Sequence, residues 1–165
     1  MNATFSFFAR LIGWYKTFII CAESAQSALL LLIRLVWGLQ FAQAGWGKCQ
    51  DIPRVAGFFT EIGIPFPELN AHVVAGTELF GGIFLALGLV SRLVTLPLIV
   101  SMAVAYLTTE REALQALWGN PDPFLTAAPF LFLFASILIL VFGPGKISLD
   151  YWIGKKLNYF SSRAE

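Results

Sequence analysis

The residues able to do chemistry here are few, and they lie where a chain this apolar should have none. Arg34, Gln40 and Gln43 fall within "AQSALLLLIRLVWGLQFAQAG", and Lys48 follows shortly after it. Glu78 interrupts "AHVVAGTELFGGIFLALGLV". A charged side chain near the middle of a membrane helix costs about 2.5–3.5 kcal/mol on insertion scales, so each must face the bundle interior, a partner or water. Measured from the expected ends of the two spans, Arg34 sits roughly 15 Å deep and Glu78 roughly 10 Å deep at the helical rise. Those depths predict an Arg34–Glu78 pair, with Lys48 sharing the carboxylate or holding an anion at the mouth. The first reading is an ion pair that orients the bundle; the second is a charged pocket for a ligand head group or a proton, and the third is that the two do not pair. Gln40 and Gln43 would add to a polar cavity. Phe41, Trp37, Trp46 and Phe80 would form its apolar wall, a mixture suited to a quinone or a lipid.

Other chemistries find less support. His72, the single histidine, falls six residues before Glu78, shares no clean helical face with it and builds no H-E-x-x-H pattern. Without a cysteine cluster, no closed metal site is expected, His72 being a poor candidate ligand, and haem is disfavoured. Cys21 and Cys49 flank the first span, roughly 40 Å apart if the chain between them is helical, too far for a disulfide. There is no P-loop, no dinucleotide fingerprint and no nucleophile–base pair. The catalytic residues are unknown, and with no complete catalytic set the chain reads as an accessory to a partner enzyme. At the opposite end of the bundle, Arg92 and Asp150 are expected to pair, or to share a structural network tying a turn to the tail.

The elements that position these groups follow from hydropathy. Of 165 residues, 58% are hydrophobic and 13% charged, with a mean hydropathy of +0.74, too apolar for a small globule to hide from water. Net charge is +1, and no basic run with interleaved aromatics offers a nucleic-acid surface. Four spans are expected, about residues 25–45, 71–90, 92–108 and 123–142, with Pro97 and Pro129 interrupting the last two. Residues 1–24 carry Phe8, Leu11, Ile12, Tyr15, Phe18 and Ile19 at helical spacing, with Arg10, Lys16 and Thr17 elsewhere. This predicts an interfacial amphipathic helix anchored by Trp14 and Tyr15. Arg10 and Lys16 argue against a cleaved signal peptide.

Within the first loop, "DIPRVAGFFTEIG" reads as a short helix capped by Asp51 and closed by Gly63. Its Val55, Phe58, Phe59 and Ile62 face would lie on the membrane or fold over the bundle mouth. Thr109 and Glu112 are spaced as a capping box. Small residues flank Glu78 (Ala71, Ala75, Gly81, Gly82) and alternate with larger ones at Arg34, Gly38, Phe41, Gly45 and Lys48, so these two stripes should meet. The expected fold is an all-α membrane protein, a four-transmembrane-helix bundle over 25–152 with the N-terminal interfacial helix and a cytoplasmic tail at 153–165. Arg10, Lys16, Arg92, Lys146, Lys155, Lys156 and Arg163 on one side outnumber Lys48, Arg54 and Arg111 on the other, which predicts cytoplasmic termini.

The ordered set "GLQFAQAGWGKC" with Arg34 upstream, "FFTEIGIPFP", "GTELFGGIFLALGLVSR" and "FGPGKISLD" resembles the DoxX family of small bacterial membrane proteins, over roughly residues 28–152. The resemblance implies a four-helix bundle in the bacterial inner membrane. It also implies association with redox chemistry, since the family name comes from a subunit linked to thiosulfate:quinone oxidoreduction and relatives are tied to redox stress, metal-associated operons and assembly of membrane proteins. The leading expectation is therefore a redox-associated accessory binding an amphipathic ligand such as a quinone. A non-enzymatic scaffold for a partner redox or membrane protein and a small proton-coupled transporter are the alternatives, and a homo-oligomer fits any of them.

Overall fold

The structure, a computed structural model, describes the backbone of residues 3–161 and the side chains of 11–156. Phe8, Arg10 and Arg163 lie outside the described side chains. The described residues form eight helices and no strand. The first, α1 (Ala3–Gln50), is a single helix of 48 residues. At 1.5 Å per residue it is about 72 Å long, more than twice the thickness of a hydrocarbon core. The boundary expected at residue 24 is thus no break in the backbone. "CAESAQSALLLL" consists of good helix formers with no glycine, proline or cap signal to stop it. Within this extension Trp14 is 81% exposed and Phe18 68%.

Helix α2 (Ile52–Glu61) begins as its sequence dictates: the Asp51 side chain accepts from Arg54 N–H at 3.1 Å, and Pro53 sits in the first turn. Gly63 closes it at φ 76°. Helix α3 (Pro67–Leu87) starts four residues before the expected 71, because Pro67 takes a first-turn position where its missing N–H costs nothing. It ends on Gly88 in the left-handed conformation, whose N–H returns to Leu85. Helix α4 (Ser91–Thr108) follows after a tight turn and carries Pro97 in its interior.

The fourth apolar stretch is not one helix. Helix α5 (Arg111–Ala116) leads to α6 (Asp122–Thr126), then Ala127 turns extended (ψ 142°) before α7 (Pro129–Phe142). Pro129 cannot donate back to Leu125 and its ring would crowd that carbonyl, so the helix restarts there. The 14 residues of α7 reach about 21 Å, whereas α1, α3 and α4 are each long and apolar enough to cross a bilayer. The Thr109–Glu112 capping box does not form: Thr109 Oγ1 donates to Ala105 O, and α5 has Glu110 as its cap without a side-chain bond. Helix α8 (Leu149–Ser161) occupies what the sequence suggests as the end of the domain and the tail.

The core is the seam where α1, α3, α4 and α7 converge, through Leu30, Phe41, Leu85, Leu98, Met102 and Ile139. Helices α1 and α3 pack most intimately. A methyl group added at Gly38 would lie 2.7 Å from Ala86 N, and one at Gly45 would lie 2.2 Å from Leu79 N. Those pairings run in opposite directions along the two helices, so α1 and α3 are antiparallel with backbones in contact, as small-residue stripes permit.

Candidate functional site

The two ends of this seam hold different charges, and the helix directions decide which. Side chains on a helix lean toward its N-terminus. Lys48, near the end of α1, therefore reaches back into the bundle. Glu78, on the oppositely running α3, reaches up toward the same mouth. They form an ion pair, with Lys48 Nζ donating to Glu78 Oε2. The carboxylate side chain is 4% exposed and the lysine 30%.

Arg34 leans the same way as Lys48, toward the start of α1, but from lower on the helix and so away from the mouth. It is fully buried, and its guanidinium donates to Ala86 O at 3.4 Å and to Ile147 O. It thus joins α1 to the last turn of α3 and to the loop before α8, placing a cation where the C-terminal end of a helix favours one. The expected Arg34–Glu78 pair is absent because of register. The pairing of Gly45 with Leu79 puts Glu78 level with about residue 46 of α1, roughly 18 Å along the axis from Arg34. The transporter reading relied on those two residues as coupled charges and loses its pair.

Arg92 and Asp150 both tie the turn to the tail, but through backbone groups rather than to each other. Asp150 accepts from Val90 N–H at 2.6 Å and Ser91 N–H at 2.9 Å, and its own N–H returns to Gly88 O at 2.9 Å. It thereby caps α4 and holds Val90, at φ 48°, in a conformation that β-branched residues rarely adopt. Arg92 donates to Val141 O at 3.2 Å.

Above the core, the Lys48–Glu78 pair looks into a cavity of about 890 Å³. Phe41 and Phe132 form its floor, edge to face with ring centroids 4.6 Å apart. Phe58, Phe59 and Ile62 of α2 cover it, so the apolar face of that helix roofs the bundle mouth. Thr77 on α3 and Ser101 on α4 add hydroxyls to the wall. Among the described residues, Lys48 has two further N–H donors and Glu78 a second oxygen, Oε1, that make no protein hydrogen bond.

Of the residues singled out from sequence, Phe41, Lys48 and Glu78 come together here, and Arg34 does not. Gln40 and Gln43 are exposed on the outer face of α1, one turn away from the seam. Trp37 is half-buried outside the cavity, and Trp46 (57% exposed) and Phe80 (59%) point outward. His72 is exposed, its Nδ1 2.9 Å from Glu68 O. Among the described residues no cluster of three potential metal ligands occurs. Cys21 and Cys49 lie on α1 as free, exposed thiols. Thr77, Ser101, Pro97 and Phe132 were not singled out as cavity residues. The two hydroxyls, spaced within otherwise apolar spans, were the available signal.

These features define a helical membrane protein that contacts the bilayer through α1, α3 and α4 and holds the Lys48–Glu78 pair beside a mostly apolar chamber between its helices. The DoxX family model matches residues 29–111, and the chain belongs to that family. It is similar to "Putative oxidoreductase CatD" of Bacillus subtilis (strain 168), 32% identical over 76% of this chain and 89% of the relative. It is also similar to the uncharacterized membrane protein Rv3486 of Mycobacterium tuberculosis (strain ATCC 25618 / H37Rv), 30% identical over 81% and 86%. No solved structure matches the chain.

Proposed function

We propose that the protein is a redox-associated accessory of the bacterial inner membrane that holds a small amphipathic ligand of the quinone class between its helices. The observation that carries this reading is the Lys48–Glu78 ion pair set in the wall of a mostly apolar chamber of about 890 Å³, a size and polarity typical of small-molecule sites. Lys48 supplies spare donors for a ring carbonyl, and Glu78 Oε1 supplies an acceptor for the hydroxyl of the reduced form. The name of the Bacillus relative supports a redox setting. The excess of Lys and Arg at the α8 end supports cytoplasmic termini, with α2 and α5 facing out.

Purification from native membranes, solvent extraction and mass spectrometry test the proposal. A near-stoichiometric quinone should accompany the wild type and be lost from Glu78→Gln and Lys48→Met proteins that still fold. A wild type recovered empty refutes it. One observation favours a second reading, a scaffold or assembly factor: Lys48 and Glu78 already neutralise each other within the bundle, as a purely architectural pair does. That reading expects a stoichiometric protein partner and no ligand.

A further inference from the structure

The chamber is not closed toward the bilayer. Helices α3 and α4 leave their shared turn in contact, and a methyl group added at Gly81 would lie 3.1 Å from Leu98 Cδ2. Nearer the mouth the chamber separates them. Its wall there includes Val73 of α3 and Val100, Val104 and Leu107 of α4, which are 53%, 61%, 41% and 62% exposed. The three α4 residues recur at helical spacing on the face that continues through Leu93 and Leu96, both exposed. The same side chains therefore line the chamber and face lipid. On the mouth side the roof is more mixed: Phe59 is buried and Ile62 half-buried, while Phe58 is 44% exposed. Pro97, also in the wall, frees the Leu93 carbonyl from its helical bond, which loosens α4 where the two helices part.

We infer that this α3–α4 opening is a lateral portal through which a lipid-dissolved ligand with a long hydrocarbon chain loads from the bilayer, head group first, toward Lys48 and Glu78. The inference rests on the proposed ligand site and adds its access route and the chain-bearing character of the ligand. The chamber opens on the bilayer along its α3–α4 wall, so a chain attached to the ring can extend out of it, and hydrocarbon is the medium in which an exposed chain carries no hydrophobic penalty. The valines and leucine at the portal match that chain in polarity, and none offers a hydrogen bond that would retain a head group in passing.

Exchange kinetics test the portal. The full chain is reconstituted in phosphatidylethanolamine–phosphatidylglycerol vesicles, loaded with deuterated decyl-benzoquinone and chased with the unlabelled compound, and retained label is followed by mass spectrometry. Val104→Trp should slow exchange by roughly tenfold or more, because a narrowed gate raises the barrier for loading and release alike. Occupancy at equilibrium then changes far less than rate. Leu93→Trp, on the same lipid face but off the chamber, should exchange like wild type. Thermal melts verify folding, and Val100→Phe with Leu107→Phe supplies a second, milder obstruction. If the wild type retains no quinone, the site and the portal both fail. If it retains quinone but the obstructed variants exchange at the wild-type rate, while Phe58→Ala in the roof accelerates exchange, the site stands and the portal is refuted in favour of access from water.

Discussion

Adding one methyl group to each glycine of the bundle in turn should produce a graded response set by what that methyl meets. At Gly45 it would lie 2.2 Å from Leu79 N, at Gly82 2.4 Å from Ala42 N, and at Gly81 3.1 Å from Leu98 Cδ2. At Gly47 and Gly76 it would meet nothing within 4 Å. Ordinary contact begins near 3.4 Å, so α1 and α3 must part by about 1.2 Å for Gly45→Ala and about 1.0 Å for Gly82→Ala. The opposing atoms are backbone and cannot swing away. Overpacking of this kind costs about 1–3 kcal/mol. At Gly81 the shortfall is about 0.3 Å against a leucine that can change rotamer, which makes the change near neutral. At Gly47 and Gly76, replacing glycine inside a helix gains about 0.5–1 kcal/mol. Unfolding in detergent, followed by circular dichroism or by a thiol probe on a buried position, should rank stability as Gly47→Ala and Gly76→Ala above wild type, Gly81→Ala near it, then Gly82→Ala and Gly45→Ala lowest. Gly45 also lies one turn from Lys48, so the forced separation should weaken quinone retention before it unfolds the protein. Equal effects at Gly45 and Gly47, two residues apart, refute backbone contact as the basis of the α1–α3 seam.

Three further perturbations probe the charges. Asp150→Ala removes the acceptor for Val90 and Ser91 N–H and should cost about 0.5–2 kcal/mol, the range for a lost helix cap, read as a lowered melting temperature; Asp150→Asn should recover part of it, and an unchanged melt for both rules out capping. For Lys48→Met and Glu78→Gln, each single change leaves a poorly compensated partner and should destabilise by about 3–5 kcal/mol, while the double change costs less than the sum; additive melts contradict a direct pair. Arg34→Lys keeps charge but cannot span two carbonyls in a planar fork, so it should lower melting temperature without changing quinone affinity, and a selective loss of affinity would place Arg34 functionally with Glu78 after all.

The seam was legible because its signals are local. The stripes of small residues around Glu78 and along Gly38 and Gly45 can be counted on a helical wheel, and they meet as counting suggests. The Asp51 cap, the Gly63 stop and the apolar face of α2 are likewise properties of a few adjacent residues. Register was not legible. Depth measured from assumed span ends placed Arg34 beside Glu78 by taking those ends as level, whereas the Gly45–Leu79 contact sets the start of α3 well beyond the end of α1. Gln40 and Gln43 misled for a related reason. Polarity shows that a residue is costly in lipid, but only the seam shows that their face of α1 points away from the chamber.

Side-chain direction supplies what depth could not. In a pair of antiparallel helices, side chains lean in opposite senses along the shared axis, so a residue nearer the mouth on one leans back to meet a deeper residue leaning mouthward on the other. Lys48 and Glu78 stand in that relation. Arg34 leans toward the start of its own helix, where α3 ends in unpaired carbonyls and the loop before α8 passes. Three charges in two spans are thereby sorted into an anchor at one end and a pair at the other. The anchor fixes α1 against the end of α3 and the loop before α8, and Asp150, in the first turn of α8, fixes the start of α4. With their tail-side ends clamped, α3 and α4 can diverge only toward the mouth. The charge that looked like a partner for Glu78 instead holds closed the end of the bundle opposite it, and that clamping lets a chamber form beside the Lys48–Glu78 pair.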